Sequence, residues 1–152
     1  MTSSKGEVTL LEWAIKLALE AHEGQKDKVG RPYILHPLSV MFDSSLTTDE
    51  ERVVAVLHDV LEDTDMPESY FEYIGMTPSQ IHSIKCLTHG KGEPNIEYWE
   101  RVLSDPTGVA KKVKIADIKH NTSPERMEGL PLEDALRMTE KYKKALQVLC
   151  NR

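Results

Sequence analysis

The most informative part of the chain reads Ala55-Val56-Leu57-His58-Asp59-Val60-Leu61-Glu62-Asp63-Thr64. Apolar residues surround His58 and Asp59 on nearly every side, so the pattern predicts a buried helix. An unpaired charge inside a protein is strongly destabilising. A bound cation is the commonest way to compensate such a charge. His58 and Asp59 are therefore candidate metal ligands, although a His-Asp dipeptide alone is a weak signal.

Two further carboxylates follow in the same stretch. Glu62 and Asp63 come four residues after His58 and Asp59, so a continuous helix would stack each of them beside its partner. We expect this helix to open at the capping box of residues 48–51 and to end before Pro67. At that distance from the ligands, Glu62 and Asp63 could orient a water molecule or transfer protons.

A second carboxylate falls on an apolar helix face far along the chain. Asp117 shares the face of Val109, Val113 and Ala116 at helical spacing. It presents the same anomaly as Asp59, and a metal held between helices would explain both residues.

His36 and His58 complete a set of two histidines and two aspartates. His36 precedes Pro37, which biases its backbone away from the α region, so a helix is expected to begin at Pro37. Mixed imidazole and carboxylate ligands favour Mn, Fe or Zn, whereas Mg and Ca prefer oxygen alone. The predicted metal ligands are His36, His58, Asp59 and Asp117.

The remaining sequence predicts helices and loops. Capping boxes begin at Thr9, Thr48 and Thr77, and no convincing period-two strand pattern, repeat or linker is present. We expect a single all-α domain over residues 1–152, a bundle of about seven or eight helices without a significant sheet. The two glycines of His89-Gly90-Lys91-Gly92 indicate a mobile loop, and His22 and His82 are interpreted as ordinary surface or helix-face residues.

Composition excludes several classes of function. The 152 residues carry a net charge of −6, which argues against broad DNA, RNA or anionic-membrane binding but permits a small anionic ligand. Cys86 and Cys150 form no CxxC motif, and no apolar run is long enough to cross a bilayer. We expect a cytoplasmic protein whose oligomeric state the sequence does not indicate.

Four motifs occur in the order found in one known family. They are Ala21-His22-Glu23-Gly24-Gln25-Lys26-Asp27, Gly30-Arg31-Pro32-Tyr33-Ile34-Leu35-His36-Pro37-Leu38-Ser39-Val40, Leu57-His58-Asp59-Val60-Leu61-Glu62-Asp63-Thr64 and Val113-Lys114-Ile115-Ala116-Asp117-Ile118-Lys119-His120-Asn121. With them the chain resembles the HD-domain metal phosphohydrolases. More narrowly, it is similar to the hydrolase half of the RelA/SpoT stringent-response enzymes and to their small stand-alone relatives.

The resemblance implies an HD-type helical bundle that holds Mn²⁺, with Fe²⁺ or Zn²⁺ as alternatives. It assigns the metal to His36, His58, Asp59 and Asp117, the same set that the burial anomalies indicate. It also implies that the family's Glu-Asp pair, here Glu62 and Asp63, serves the attacking water.

The resemblance further implies contacts with a nucleotide substrate. The basic loop before the first ligand would hold a pyrophosphate through Lys26 and Lys28, and Asn121 would contact the substrate. Arg137 matches an arginine of the last helix that contacts nucleotide phosphates in the stand-alone relatives. The chain departs from the family at Gln25, where arginine is common, and at Lys141, where tyrosine is common.

The expected function is hydrolysis of guanosine-3′,5′-bis(diphosphate), ppGpp, to release its 3′-pyrophosphate. Two alternatives stay open at this point. The same site could remove a phosphate from NADPH or another nucleotide, or the chain could be a nucleotide-binding sensor without turnover. The intact pair Glu62 and Asp63 argues against the sensor.

Overall fold

The computed structural model describes residues 5–151 of the chain. Ten helices follow one another in these residues: α1 Leu10–Ala21, α2 Leu35–Met41, α3 Asp49–Leu57, α4 Val60–Asp63, α5 Ser69–Tyr73, α6 Pro78–Cys86, α7 Asn95–Leu103, α8 Val109–Asn121, α9 Pro124–Met127 and α10 Leu132–Cys150. The predicted all-α fold is confirmed.

The helices outnumber the seven or eight expected from the sequence, because short segments of four or five residues, α4, α5 and α9, count separately. Between residues 5 and 151 the only β-type pairing is a single antiparallel bridge from Lys26 to Pro32. In the same range no helix combines the length and the apolar character needed to cross a membrane.

Three threonines begin helices as the capping boxes predict. The hydroxyls of Thr9, Thr48 and Thr77 accept hydrogen bonds from the backbone N–H groups of Glu12, Glu51 and Gln80, at 3.1, 3.2 and 3.2 Å. In return, the side chain of each partner accepts a hydrogen bond from the backbone N–H of its threonine. These local contacts satisfy N–H groups that have no partner inside the helix.

Helix α3 forms the centre of the bundle and packs against α1, α2, α6 and α8. Its residues 53–57 are at most 1% exposed. A helix that is apolar on all sides must be covered on all sides, which explains why its neighbours surround it. The side chains at its carboxyl end therefore point into the protein interior.

The structure corrects two helix boundaries. The predicted central helix is interrupted after Leu57 and resumes as α4 at Val60, with His58 and Asp59 between the two segments. Helix α2 begins at Leu35 instead of Pro37, so Pro37 is its third residue. Proline is tolerated there because the first N–H groups of a helix have no partner within it.

The loop between α1 and α2 is organised by Asp27. Its carboxylate accepts hydrogen bonds from the backbone N–H groups of Val29 and Arg31 at 3.0 and 2.8 Å. Gly30 has a φ of +88°, a conformation that side chains disfavour, and allows the loop to turn here. Lys26 and Lys28 flank Asp27, so their backbone positions are set by this turn.

Glu51 supports α3 through a buried charge. Its carboxylate accepts hydrogen bonds from the Thr47 and Thr48 N–H groups and from Lys112 Nζ at 2.7 Å. Burial opposes ionisation, but these donors prevail and lower the pKa of Glu51 from 4.5 to about 2. Because the pKa is lower in the folded than in the unfolded protein, this stabilisation is present above pH 4.5 and is lost as the pH falls towards 2.

We expect Glu51→Gln to keep the capping contact and to lose the ion pair with Lys112. The free energy of unfolding at pH 7 should fall by roughly 1–3 kcal/mol. The difference in unfolding free energy between variant and wild type should shrink as the pH is lowered from 4.5 towards 2. Urea unfolding of both proteins at a series of pH values measures this difference. Glu12→Gln, in the exposed capping box of α1, is the matched control, and equal losses in both variants would contradict the role of Glu51.

Candidate functional site

The site begins at the interruption between α3 and α4. The carbonyl oxygen of Ala55 lies 2.6 Å from Nδ1 of the His58 ring and 3.3 Å from the His58 backbone nitrogen. A carbonyl oxygen can only accept, so Nδ1 carries a hydrogen and Nε2 is left to face the interior. The His58 ring thus takes the carbonyl that would otherwise bond the N–H of Asp59 in a continuous helix.

The four predicted ligands meet at this point. His36 Nε2 lies 2.7 Å from Asp117 Oδ1, while His58 Nε2 lies 3.0 Å from Asp59 Oδ2 and 3.3 Å from Asp117 Oδ1. One ligand atom from each residue lies within 4.8 Å of the others. Three separate segments supply them: α2, the α3–α4 junction and α8.

The electrostatics of this cluster favour positive charge. Burial opposes protonation of His58, but Asp59 and Asp117 outweigh it and raise the pKa of His58 well above its usual value. Burial likewise opposes ionisation of Asp117, but Lys114 and the two histidines hold its pKa well below the usual value. Burial also opposes ionisation of Asp59, but His58 outweighs it and lowers the pKa of Asp59 to about 2. Both carboxylates are therefore charged, and the space between them attracts a cation.

These residues fit a divalent transition metal. Two imidazole nitrogens and two carboxylates are a donor set typical of Mn, Fe or Zn. A ligating histidine usually donates its other ring N–H to an acceptor, and His58 does so to Ala55. His36 Nδ1 contacts His120 Nδ1 at 2.8 Å, and His120 Nε2 lies 3.4 Å from a Glu125 carboxylate oxygen.

Sequence reasoning assigns no role to two side chains that contact the predicted ligands, Lys114 and Tyr33. Lys114 Nζ donates to Asp117 Oδ2 at 2.9 Å, and Tyr33 donates its hydroxyl to Asp59 Oδ2 at 2.7 Å. Both belong to the quoted motifs, and Lys114 precedes Asp117 by three residues, which on a helix places the two side chains together. That spacing was the available signal.

Asn121, the predicted substrate contact, lies beside Asp117. Its amide nitrogen donates to Asp117 Oδ1 at 3.1 Å and to the Tyr142 hydroxyl at 3.3 Å, and its oxygen accepts from Arg126 at 3.1 Å. The residue is 7% exposed and lines the cavity next to the predicted ligands. It therefore contacts both Asp117, a predicted ligand, and Arg126, a cation that lines the cavity.

Glu62 and Asp63 lie at the wall of the same cavity. Both side chains are exposed to solvent, but partial desolvation at the cavity is the first cause that raises the pKa of each, and Asp59 adds to the effect in both. Asp63 accepts a hydrogen bond from the Tyr33 hydroxyl at 3.2 Å, and Glu62 accepts one from the backbone N–H of His89 at 2.7 Å. A carboxylate with a raised pKa is a better proton acceptor at neutral pH.

A cavity of about 360 Å³ opens over the cluster. Its lining includes three of the four predicted ligands, His36, Asp59 and Asp117. It also includes five cationic side chains: Lys26, Lys28, Lys114, Arg126 and Lys141. The carboxylates in the lining of the cavity attract a cation, and the cationic side chains around them attract anions. This combination suits a substrate with several phosphate groups. Tyr33, Tyr98, Trp99 and Tyr142 add aromatic surface.

The structure places the predicted phosphate contacts differently. Lys26 and Lys28 line the cavity, but Arg137 does not. The Arg137 side chain is 68% exposed and pairs with Asp134 on the same helix. Lys141, one turn further along α10, lines the cavity instead, and burial together with nearby Lys114 lowers its pKa. The role of Arg137 stays a prediction.

His22 differs from its interpretation as an ordinary surface or helix-face residue. It is 2% exposed, its Nδ1 lies 2.8 Å from the Gln25 side-chain oxygen, and its ring lies 4.9 Å from the Tyr33 ring. Gln25 and Tyr33 both line the cavity. His22 therefore supports two cavity residues from behind, whereas His82 is exposed as expected.

Comparison with known proteins gives a consistent set of relatives, although no family model matches the chain. The chain is 34% identical over 122 residues to the zebrafish guanosine-3′,5′-bis(diphosphate) 3′-pyrophosphohydrolase MESH1, covering 74% of this chain and 66% of that protein. It is 41% identical over 125 residues to the bifunctional (p)ppGpp synthase/hydrolase SpoT of Escherichia coli, covering 76% of this chain and 18% of SpoT.

A plant relative is far longer than this chain. The identity to the chloroplastic putative GTP diphosphokinase RSH1 of Arabidopsis thaliana is 32% over 134 residues, which is 76% of this chain and 15% of RSH1. The chain thus spans only a small part of the long relatives that it matches.

One solved structure has the same fold. It is described as a metazoan orthologue of SpoT that hydrolyses ppGpp, with a TM-score of 0.75, 22% sequence identity and coverage of 96% of this chain and 88% of that one. At this identity the likeness concerns the fold. The sequence relatives confirm the predicted resemblance: the chain belongs to the family of HD-domain phosphohydrolases that includes SpoT and MESH1.

Proposed function

We propose that the protein is a metal-dependent hydrolase that releases the 3′-pyrophosphate of ppGpp-like nucleotides. The observation that carries this proposal is the meeting of His36, His58, Asp59 and Asp117 at the base of a cavity with a basic wall. We infer that these four residues hold the metal, with Mn²⁺ as the expected ion. A divalent cation there would supply Lewis acidity, which makes water more acidic and polarises a phosphoryl oxygen.

The reaction that we propose is attack of water on the phosphorus bonded to the ribose 3′-oxygen. The P–O bond to the ribose breaks, pyrophosphate leaves, and the ribose oxygen takes up a proton. Glu62 and Asp63 lie at the cavity wall with raised pKa values, so we assign to them the proton of the attacking water.

The cationic wall would bind the phosphates. Lys26 and Lys28 stand on the loop organised by Asp27, and Lys141 faces them from α10. Asn121 hydrogen-bonds a proposed ligand, Asp117, and lines the cavity, which supports its assignment as a substrate contact. The aromatic residues of the cavity offer flat surfaces for a base or a ribose.

A nucleotide panel tests the function. Purified protein with Mn²⁺ should release pyrophosphate from ppGpp and leave GDP. Anion chromatography, which separates pyrophosphate from orthophosphate, measures the products. If the protein releases orthophosphate from NADPH and leaves ppGpp intact, the proposed substrate is wrong. If calorimetry shows ppGpp binding but no product forms, the protein is a nucleotide sensor and not an enzyme.

Asp117→Ala tests the metal centre. We expect this variant to lose most of its bound metal, because Asp117 is one of four ligands. Elemental analysis after dialysis measures the metal per chain. The matched control is Asp105→Asn, another buried carboxylate, which accepts from Ser83 and the Ala110 N–H and lies outside the cluster. A folded Asp117→Ala protein with normal metal content would refute the ligand assignment.

Glu62→Ala tests the proton acceptor. Metal content and melting temperature should stay normal, while kcat should fall by about 100-fold or more. Steady-state kinetics on the substrate identified by the panel gives the comparison. Asp65→Ala, at an exposed carboxylate just beyond α4, is the control and should keep wild-type turnover. Wild-type kcat in Glu62→Ala would remove Glu62 from the mechanism.

Lys141 and Arg137 allow a comparison within one helix. Lys141→Ala should raise KM roughly tenfold, because it removes a charged side chain that lines the cavity. Arg137→Ala should raise it less, since the Arg137 side chain is paired with Asp134 and largely in solvent. A larger effect at Arg137 would mean that α10 changes position when substrate binds.

A further inference from the structure

We propose that the loop between α6 and α7 is a positioning device for Glu62, which it holds through the backbone N–H of His89. The inference rests on the proposed function, since it concerns the residue assigned to proton transfer. It begins with one contact: the His89 N–H donates to Glu62 Oε1 at 2.7 Å. Within residues 5–151 no other hydrogen bond reaches the Glu62 carboxylate, so this single donor sets its orientation.

The His89 ring is fixed on two sides. It stacks on the Tyr98 ring with 4.5 Å between centroids and 6° between planes. Its Nε2 lies 2.7 Å from the backbone oxygen of Glu93, which can only accept, so Nε2 carries a hydrogen. The Tyr98 hydroxyl donates to the Leu87 carbonyl at 2.9 Å, which ties the stacking partner to the end of α6. The N–H aimed at Glu62 therefore has little freedom to turn.

Glu93 and Arg101 close the loop from outside. Both carboxylate oxygens of Glu93 accept from the Arg101 guanidinium, and one of them also accepts from the Gly90 N–H at 3.1 Å. Arg101 additionally donates to the Thr88 carbonyl at 2.7 Å. A two-pronged contact of this kind fixes direction as well as distance. Residues on both sides of His89 are thus attached to one side chain of α7.

The ion pair of Glu93 and Arg101, here called the clamp, lies apart from the substrate cavity. Neither Glu93 nor Arg101 lines the cavity, whereas Glu62 and His89 do. A displacement of about 1 Å at a reacting group can cost as much as 100-fold in rate. Weakening the clamp should therefore lower kcat without removing any group that touches substrate or metal. This separates a positioning role from a binding role.

Glu93→Ala is the principal test. We expect kcat to fall between about 10- and 100-fold, with KM and metal content near wild-type values. Glu93→Gln keeps an acceptor for Gly90 and Arg101 and should lose less. Glu97→Ala, at an exposed carboxylate in the first turn of α7, is the matched control. If Glu93→Ala fails to fold, Arg101→Lys, which keeps the charge but not the two-pronged contact, takes its place.

A double-mutant cycle with Glu62→Ala decides whether the clamp acts through Glu62. In the Glu62→Ala background, Glu93→Ala should cause no further loss of kcat. An equal fold-loss in both backgrounds, or a rise in KM with unchanged kcat, would overturn the proposal.

A measurement without turnover separates this inference from the proposed function. The backbone amide proton of His89 should resonate far downfield and exchange slowly in the wild type, and both features should be lost in Glu62→Ala and weakened in Glu93→Ala. An unchanged His89 resonance in Glu62→Ala would refute the contact even if ppGpp is hydrolysed. A changed resonance would support it even if the substrate proves to be another nucleotide.

Discussion

The structure depends on one buried charge, the carboxylate of Asp117. It lies within hydrogen-bonding distance of His36, His58, Lys114 and Asn121, and the residue is only 4% exposed. A charge in this environment is tolerable only when it is surrounded by donors or by a cation. Since those donors come from α2, the α3–α4 junction and α8 itself, the need to satisfy Asp117 holds these elements together. The packing of the bundle and the arrangement of the site thus both depend on satisfying the charge of Asp117.

The interruption between α3 and α4 serves the same centre. A continuous helix would separate His58 and Asp59 by about 100° around its axis and would direct them to different neighbours. With the His58 ring bonded to Ala55 and the helix broken, His58 Nε2 and Asp59 Oδ2 lie 3.0 Å apart and face the same point. Helix α4 then carries Glu62 and Asp63 out to the cavity wall.

Much of this arrangement could be predicted from the sequence, because the signals were local or were anomalies of burial. The capping threonines act within four residues, and Asp59 and Asp117 stand out as acids among apolar residues. The helix interruption could not be predicted, since it arises from competition between a ring nitrogen and a backbone N–H for one carbonyl. Lys114 looks like a solvated helix residue until Asp117 is placed beside it, and Tyr33 is identified only by the distant carboxylates that it bonds.

Contacts between segments that are distant in sequence are harder to predict. Arg137 follows from family resemblance, but its side chain lies outside the cavity, while Lys141 and Arg126 line it from α10 and the α9 region. No spacing rule connects Arg126 with Asp27, because these two residues are far apart in sequence and meet only through the packing of the helices. The interpretation of His22 as a surface or helix-face residue is wrong, because His22 follows the last residue of α1 and is buried beside Gln25 of the next loop.

The turn organised by Asp27 has a consequence for the energetics of ligand association. Lys26 and Lys28 stand on a backbone already tied to its own carboxylate, and Arg126 lies 3.6 Å from that same group. An anion arriving at these lysines meets a preorganised segment, so little backbone entropy is lost on association. The lysine side chains are left as the main parts of this segment that must still be ordered, and electrostatic attraction can guide the encounter without waiting for a folding step.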